Sequence, residues 1–485
     1  MSELALRKYL ERYAEPEAAW GRELHTQYAA VLVVPLQRED ESFLDNLTPA
    51  LTNASGRVLV IAVVNATEEA PAATHEANTR LLRVLADRLV PRQELPALEG
   101  SAASAILGRP GVFDLLLIDR ASPGKRLPVG QGVGLARRIG MDLALQLQQL
   151  EGSTSPWLAT TDADAQPPAN YFQTLSTVAP LTPQGLRRVA VTLPFWHTPS
   201  GDEAIDGATA DYELSLRYYT LGLAAAGSPY AYESMGSSLV VLAEAYAEVR
   251  GFPRRNAGED FYLLDKLAKV GALHRPNCEP IGLRSRVSDR VPFGTGRKVA
   301  EIVGNGGALS TYHPRVFELL GVTLAALRHA VTVRRADSLT SQLNERLDAG
   351  TAGAVSSALE ELQVLDALPG MLDASPDARV RLRRLLTWFD ALRTLRFIHV
   401  LEGRASLPRL PVFQALAEAP FCPFARGALS CASAQASGAD TTRIDVNALR
   451  IAASDAERAL PPDIGAESAG LAAVNGADNG AGNGA

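Results

Sequence analysis

Residues 156–168 read PWLATTDADAQPP, an apolar run that ends in two aspartates separated by one alanine and stops at a pair of prolines. Residues 157–161 have the character of a strand buried on both faces. Asp162 and Asp164 are therefore expected at the carboxyl end of that strand, where open α/β sheets bind ligands. In extended chain, residues i and i+2 project to the same side, which lets both carboxylates face one hard divalent cation such as Mg2+ or Mn2+. Such a cation can bind phosphate oxygens and carry the charge that builds on a departing group. Two aspartates after a strand also make an ordinary turn and cap the helix beginning near Pro168.

The surrounding chain supplies the context. Short β-rich runs occur at 31–34, closed by Pro35, and at 57–65, 114–119, 188–193 and 237–242. Helical patterns lie between them at 41–51, 79–89, 135–150, 170–178, 211–225 and 261–270. This alternation predicts an α/β, Rossmann-like fold, a mostly parallel sheet flanked by helices, over residues 29–305, with a helical extension at 1–28. Beyond residue 310 the β-rich runs stop, and 338–347, 355–365 and 378–401 read as amphipathic helices of a C-terminal helical region at 306–460. Residues 461–485, ending NGADNGAGNGA, carry almost no large apolar side chain and are expected to form a disordered tail.

At 485 residues the chain exceeds what one hydrophobic core usually organises. No window of about 18 consecutive apolar residues suggests a membrane span, and the charged opening MSELALRKYLERYAEPEAAW has no secretory character, so a soluble, cytoplasmic protein is expected. Cys278, Cys422 and Cys431 are odd in number and scattered, which fits neither a disulfide framework nor a zinc site. A net charge of -7 argues against a surface that tracks nucleic acid. Assembly into a homo-oligomer stays open.

Three further segments join the Asp-Ala-Asp run in an order that resembles the family 2 glycosyltransferases, which have the GT-A fold; the resemblance covers about residues 29–295. The first strand with Pro35, followed by Gln37, Arg38, Glu39 and Asp40, is similar to the family's opening strand, proline and acidic loop. Residues 132–142, GVGLARRIGMD, resemble its glycine-containing helix start. Residues 258–264, GEDFYLL, resemble its Glu-Asp motif.

The resemblance implies a metal-dependent transferase moving a sugar from a nucleotide-diphosphate donor, a UDP- or GDP-sugar, to a hydroxyl acceptor. It assigns Asp260 as the base of an inverting transfer, with Glu259 helping to hold the acceptor or the loop. Acidic residues at a helix start also simply complement its dipole. The nucleotide-sugar site would draw on Pro35, Gln37, Glu39, Asn65, Arg120, Gly132, Gly134, Arg137 and Asp162. Asn65 departs from the acidic residue the family usually shows at the end of the second strand. The metal would take Asp162 and Asp164, with His274 or Asp289 as a candidate third ligand. Residues 286–298, RVSDRVPFGTGRK, combine glycines with cations, as either a closing loop or an interdomain connection does.

A dinucleotide-binding reading of Gly130, Gly132 and Gly134 fails on spacing, because about ten residues separate these glycines from the preceding strand. The alternatives are a retaining transferase or nucleotidyltransferase on the same scaffold, and a non-catalytic nucleotide-sugar binder.

Overall fold

The computed structural model describes residues 2–288, 294–307, 309–426 and 445–465. Asp289, Cys431 and the tail from 466 lie outside the described residues. The strands are β1 (Ala30–Leu36), β2 (Val58–Asn65), β3 (Gln93–Glu94), β4 (Ser104–Gly108), β5 (Asp114–Arg120), β6 (Trp157–Thr160), β7 (Ala165–Gln166), β8 (Arg188–Thr192), β9 (Phe195–Thr198), β10 (Leu239–Leu242), β11 (Ala272–His274) and β12 (Ile281–Arg284). Runs of valine, leucine and isoleucine without polar alternation suit strands covered on both faces, and every residue of β2 is buried.

The chain is an α/β protein with a ten-strand mixed sheet flanked by helices. Eight strands run in the order β8-β10-β6-β1-β2-β5-β4-β3, and β11 with a short Asp463–Ile464 strand completes the ten. Neighbours β6, β1, β2 and β5 pair in parallel. Antiparallel pairing of β10 with β6 and β8, and of β4 with β5 and β3, corrects the expectation of a mostly parallel sheet. The physical reason at β4 is its short connection to β5, residues 109–113, which closes a hairpin and cannot span a parallel crossover.

The chain winds outward from β1 to β2 and β5, then returns to β6 on the other side of β1. The strand order reverses between β1 and β6, and a crevice forms outside the carboxyl ends of strands at such a switch point. Both strands end there, at Leu36 and Thr160.

Two compact units divide the chain. The first holds 1–201, 234–267 and 273–298; the second holds 202–233, 268–272 and 299 onward. A single cut near 305 therefore does not separate them, because the Glu203–Ala225 helix belongs to the second unit.

In the first unit the N-terminal helix, Ser2–Arg12, is tied to a buried carboxylate on the Gly132–Gln149 helix. Tyr9 Oη and Tyr246 Oη donate to Asp142 Oδ1 at 2.7 and 2.9 Å, and the Glu15 N–H donates to Asp142 Oδ2 at 2.8 Å. Arg138 pairs with Glu15 at 2.8 Å and donates to the Arg250 and Phe252 carbonyls. Arg254 Nε reaches Glu15 Oε1 at 2.8 Å. The extension thus holds the loop that leads to Glu259 and Asp260.

Burial pushes the Asp142 carboxyl up from 3.8 to about 6, against the Arg138 charge and the hydrogen bonds from Tyr9 and the Glu15 N–H. The folded state then binds this proton more tightly than the unfolded chain, so the stability it contributes is complete below about pH 4 and is lost as pH rises through about 6. Urea unfolding is therefore expected to show wild-type stability falling relative to Asp142→Asn across that window. Parallel pH profiles for the two proteins would refute this account of Asp142.

The second unit is helical around its own core. Residues 378–401, expected as one helix, form two: Ala378–Trp388 and Ala391–Arg404. Phe389 leaves helical geometry, and Asp390 caps the new start by accepting from the Arg393 N–H at 2.9 Å. A fully buried charge cluster joins helices Glu203–Ala225 and Val446–Arg458: Glu213 pairs with Arg217 at 3.0 Å and with Arg450 at 2.7 Å, and Arg217 also pairs with Glu457. Among the described residues one helix, Arg315–Val333, is long and apolar enough to cross a membrane, although its apolar residues do not form an unbroken run; 56% of its most apolar 18-residue stretch is buried, with Phe317, Leu320 and Leu327 in the second unit's core.

Candidate active site

β6 ends at Thr160, and the chain turns at once: the Ala165 N–H donates to the Asp162 carbonyl at 3.2 Å. The two aspartates therefore sit in a turn rather than in the extended chain expected of them. Both stay accessible, with side chains 38% and 22% exposed. They face different arginines. Asp162 pairs with Arg137, and Asp164 Oδ2 lies 2.7 Å from Arg286 Nε.

Arg137 connects the two acidic motifs. It leaves the first turns of the Gly132–Gln149 helix fully buried, donates from Nε to Glu259 Oε1 at 2.9 Å, and donates from Nη2 to Asp162 Oδ1. Its Nη1 donates to Thr160 Oγ1 at 2.8 Å and to the Gly236 carbonyl at 3.2 Å. Burial works against the Arg137 charge, but Asp162 and Glu259 outweigh it and raise its pKa above the ordinary arginine value. Room for the guanidinium comes from Gly236, where a Cβ would stand 2.5 Å from Nη2. Arg137 is thus a buried bridge rather than a surface cation awaiting a diphosphate, and Arg138 serves the N-terminal network instead.

The glycines of this helix start have a packing role. Gly132 N–H donates to Asn256 Oδ1 at 2.8 Å, and Gly134 N–H donates to the Arg255 carbonyl at 2.9 Å. A Cβ on Gly134 would lie 2.4 Å from the Pro253 carbonyl, so any side chain there would push the 253–256 loop away. That loop feeds directly into the Glu259–Leu267 helix. Glu259 is buried against Arg137, while Asp260 is half-buried and accepts the Phe261 N–H at 2.7 Å. Burial, and then the Glu259 charge, hold the Asp260 carboxyl well above the usual carboxylate range, with Asp162 adding to the effect.

Glu39 follows β1 and completes the cluster. Its carboxylate meets Arg286 at 3.3 Å, and burial, then the nearby Asp162 charge, push it up to about 7 against the pull of Arg286. Asp164 is likewise raised, by burial first and then by Asp162 and Glu39. Glu39, Asp162, Asp164, Glu259 and Asp260 therefore share one electrostatic neighbourhood at the β1/β6 switch point, with Arg137 and Arg286 as counter-charges.

Other expected residues stand apart from this cluster. Pro35 is buried within β1, in register with Val63, and Gln37 is half-buried just beyond the strand. Asn65 is buried and donates to the Leu36 and Val63 carbonyls at 3.1 and 3.2 Å, which ties down the end of β1; its Oδ1 has no partner. Arg120 is turned to Glu17 of the N-terminal segment at 3.7 Å. His274 lies on β11, which neighbours β8, so two strands stand between it and β6, about 14 Å at ordinary strand spacing. Asp289 lies outside the described residues, as do 290–293 of the expected closing loop; the Ser288 N–H donates to the Gly296 carbonyl at 3.1 Å on either side of them. Among the described residues, no three His, Cys, Asp or Glu side chains gather to hold a metal ion.

Sequence reasoning missed Thr160, Asn256 and the pairing of Arg286 with Asp164. Only the register of β7 on β12 reveals that pairing. No protein-family model matches the chain, and no curated protein matches it.

Proposed function

We propose that the chain is an inverting, cation-dependent glycosyltransferase of GT-A-like fold, acting on a nucleotide-diphosphate sugar and a hydroxyl acceptor. The observation that carries this reading is the convergence of two acidic motifs: Arg137 draws Asp162 and Glu259 together where strand order reverses, the place at which open α/β sheets bind ligands. A purely structural turn at residues 162–164 would not require a buried arginine to bind it to a helix start 95 residues later.

The donor set fits a hard divalent cation. All the groups are carboxylate oxygens, and Glu39, Asp162 and Asp164 lie together in the field of Arg286. Mg2+ commonly takes one or two protein carboxylates and completes its shell with substrate phosphates and water, so Asp162 and Asp164 suffice without a third protein ligand. When bound, Mg2+ or Mn2+ would supply positive charge against the diphosphate leaving group. The protein's own groups do the rest. Asp260 takes the proton from the acceptor hydroxyl, and its raised pKa makes it a stronger base than an ordinary aspartate. Glu259, locked on Arg137, fixes the turn from which Asp260 projects.

Thermal denaturation with UDP-, GDP- and dTDP-sugars tests the reading. One nucleotide class is expected to raise Tm, and to do so strongly only with Mn2+ or Mg2+ present. Equal Tm with every nucleotide, with and without cation, would remove the donor site.

A further inference from the structure

The β7–β12 pairing brings a cation of the protein's own into the acidic cluster. Gly282 stands opposite Gln166 and Leu283 opposite Ala165 in an antiparallel register, so the chain leaving β12 runs beside the chain entering β7. Asp164 precedes β7 and Arg286 follows β12. Their side chains meet at 2.7 Å, and the same guanidinium spans to both Glu39 oxygens at 3.3 and 3.4 Å. Burial disfavours the Arg286 charge, but Asp164, Glu39 and Asp162 together raise its pKa. Arg286 therefore answers three carboxylates at once, two of them the residues assigned above to a divalent cation or its surroundings.

We infer that Arg286 is a resident counter-ion which holds Asp164 and Glu39 in the donor-free protein, gives way to the divalent cation, and re-pairs with the anionic diphosphate that arrives with it. The inference rests on the cation-dependent reading given above. Arg286 is a positioning residue in this scheme: it keeps the carboxylates in place without metal and makes cation binding depend on the donor. A divalent cation and a guanidinium compete for the same carboxylate charge, and a guanidinium released there is a fork suited to phosphate oxygens. Its side chain is one-third exposed, so it can swing without breaking packed core.

Mn2+ titration followed by electron paramagnetic resonance, without nucleotide, tests this on the full chain. Arg286→Gln is expected to bind Mn2+ about tenfold more tightly than wild type, because the competing charge is gone. Arg286→Lys, which keeps the charge, is expected to stay close to wild type. With UDP or GDP added, the order reverses: wild type gains Mn2+ affinity and Arg286→Gln gains less. If Arg286→Gln binds Mn2+ alone no more tightly than wild type, while wild type binds Mn2+ with a nucleoside diphosphate, the counter-ion role is wrong and the cation-dependent reading survives. If wild type binds Mn2+ with neither nucleotide, both fall.

Discussion

Arg137→Ala destabilises the first unit by about 3 kcal/mol or more, at the low end of the range for breaking a buried ion pair because Asp162 retains some solvent. The loss has a definite origin. Without the guanidinium, Glu259 is left as a buried carboxylate whose partner is gone, Thr160 Oγ1 and the Gly236 carbonyl lose a donor, and a cavity opens beside Gly236. Guanidinium unfolding reads the effect, and a second variant separates the charge from the shape. Arg137→Met combined with Glu259→Gln and Asp162→Asn removes the stranded charges, so it is expected to recover a substantial part of the loss. A single Arg137→Ala variant as stable as wild type would show that Arg137 does not hold the two motifs together.

Asp260→Asn separates chemistry from binding. Transfer is expected to fall by about 10²- to 10⁴-fold, the usual contribution of a positioned base. Cation-dependent stabilisation by the nucleotide sugar should remain, because Asp162 and Asp164 are untouched. The fold should not suffer: the asparagine Oδ1 can still accept the Phe261 N–H. Stability should even improve at high pH. A carboxyl whose folded pKa is raised withdraws its stabilising contribution as pH rises through that value, and asparagine has no charge to withdraw. Such a gain would mark Asp260 as a group kept at a cost to the fold, as catalytic groups often are. Near-normal turnover in Asp260→Asn would remove it from the proposed role.

The parallel centre of the sheet and its acidic edge were legible in the chain because both are local signals. Unbroken aliphatic runs name β1, β2, β5 and β6 directly, and an aspartate pair right after such a run has few places to be. Strands β4, β9 and β12 were missed because they are short and partly exposed, and only their partners make them strands. The largest shift in meaning concerns the cations. Arg120, Arg137 and Arg138 look interchangeable as sequence, each beyond a strand or on a helix, yet each is consumed by different carboxylates: Glu17, Asp162 with Glu259, and Glu15 with Asp142. Sequence separations of 25 to 122 residues at Arg137 explain why no local pattern announced its role. Asn65 shows the same effect, since a polar residue at a strand end suggests a ligand contact until the Leu36 carbonyl is seen to receive its amide.

The clasp around Asp142 also bears on how this protein is made. Tyr9 must wait for a residue 133 positions downstream, and the Glu15 N–H for one 127 positions downstream, before either finds its partner. At ordinary rates of translation the first helix leaves the ribosome on the order of tens of seconds before its docking surface exists. During that interval Leu6, Tyr9 and Trp20, all buried in the finished protein, have yet to meet the surface that covers them.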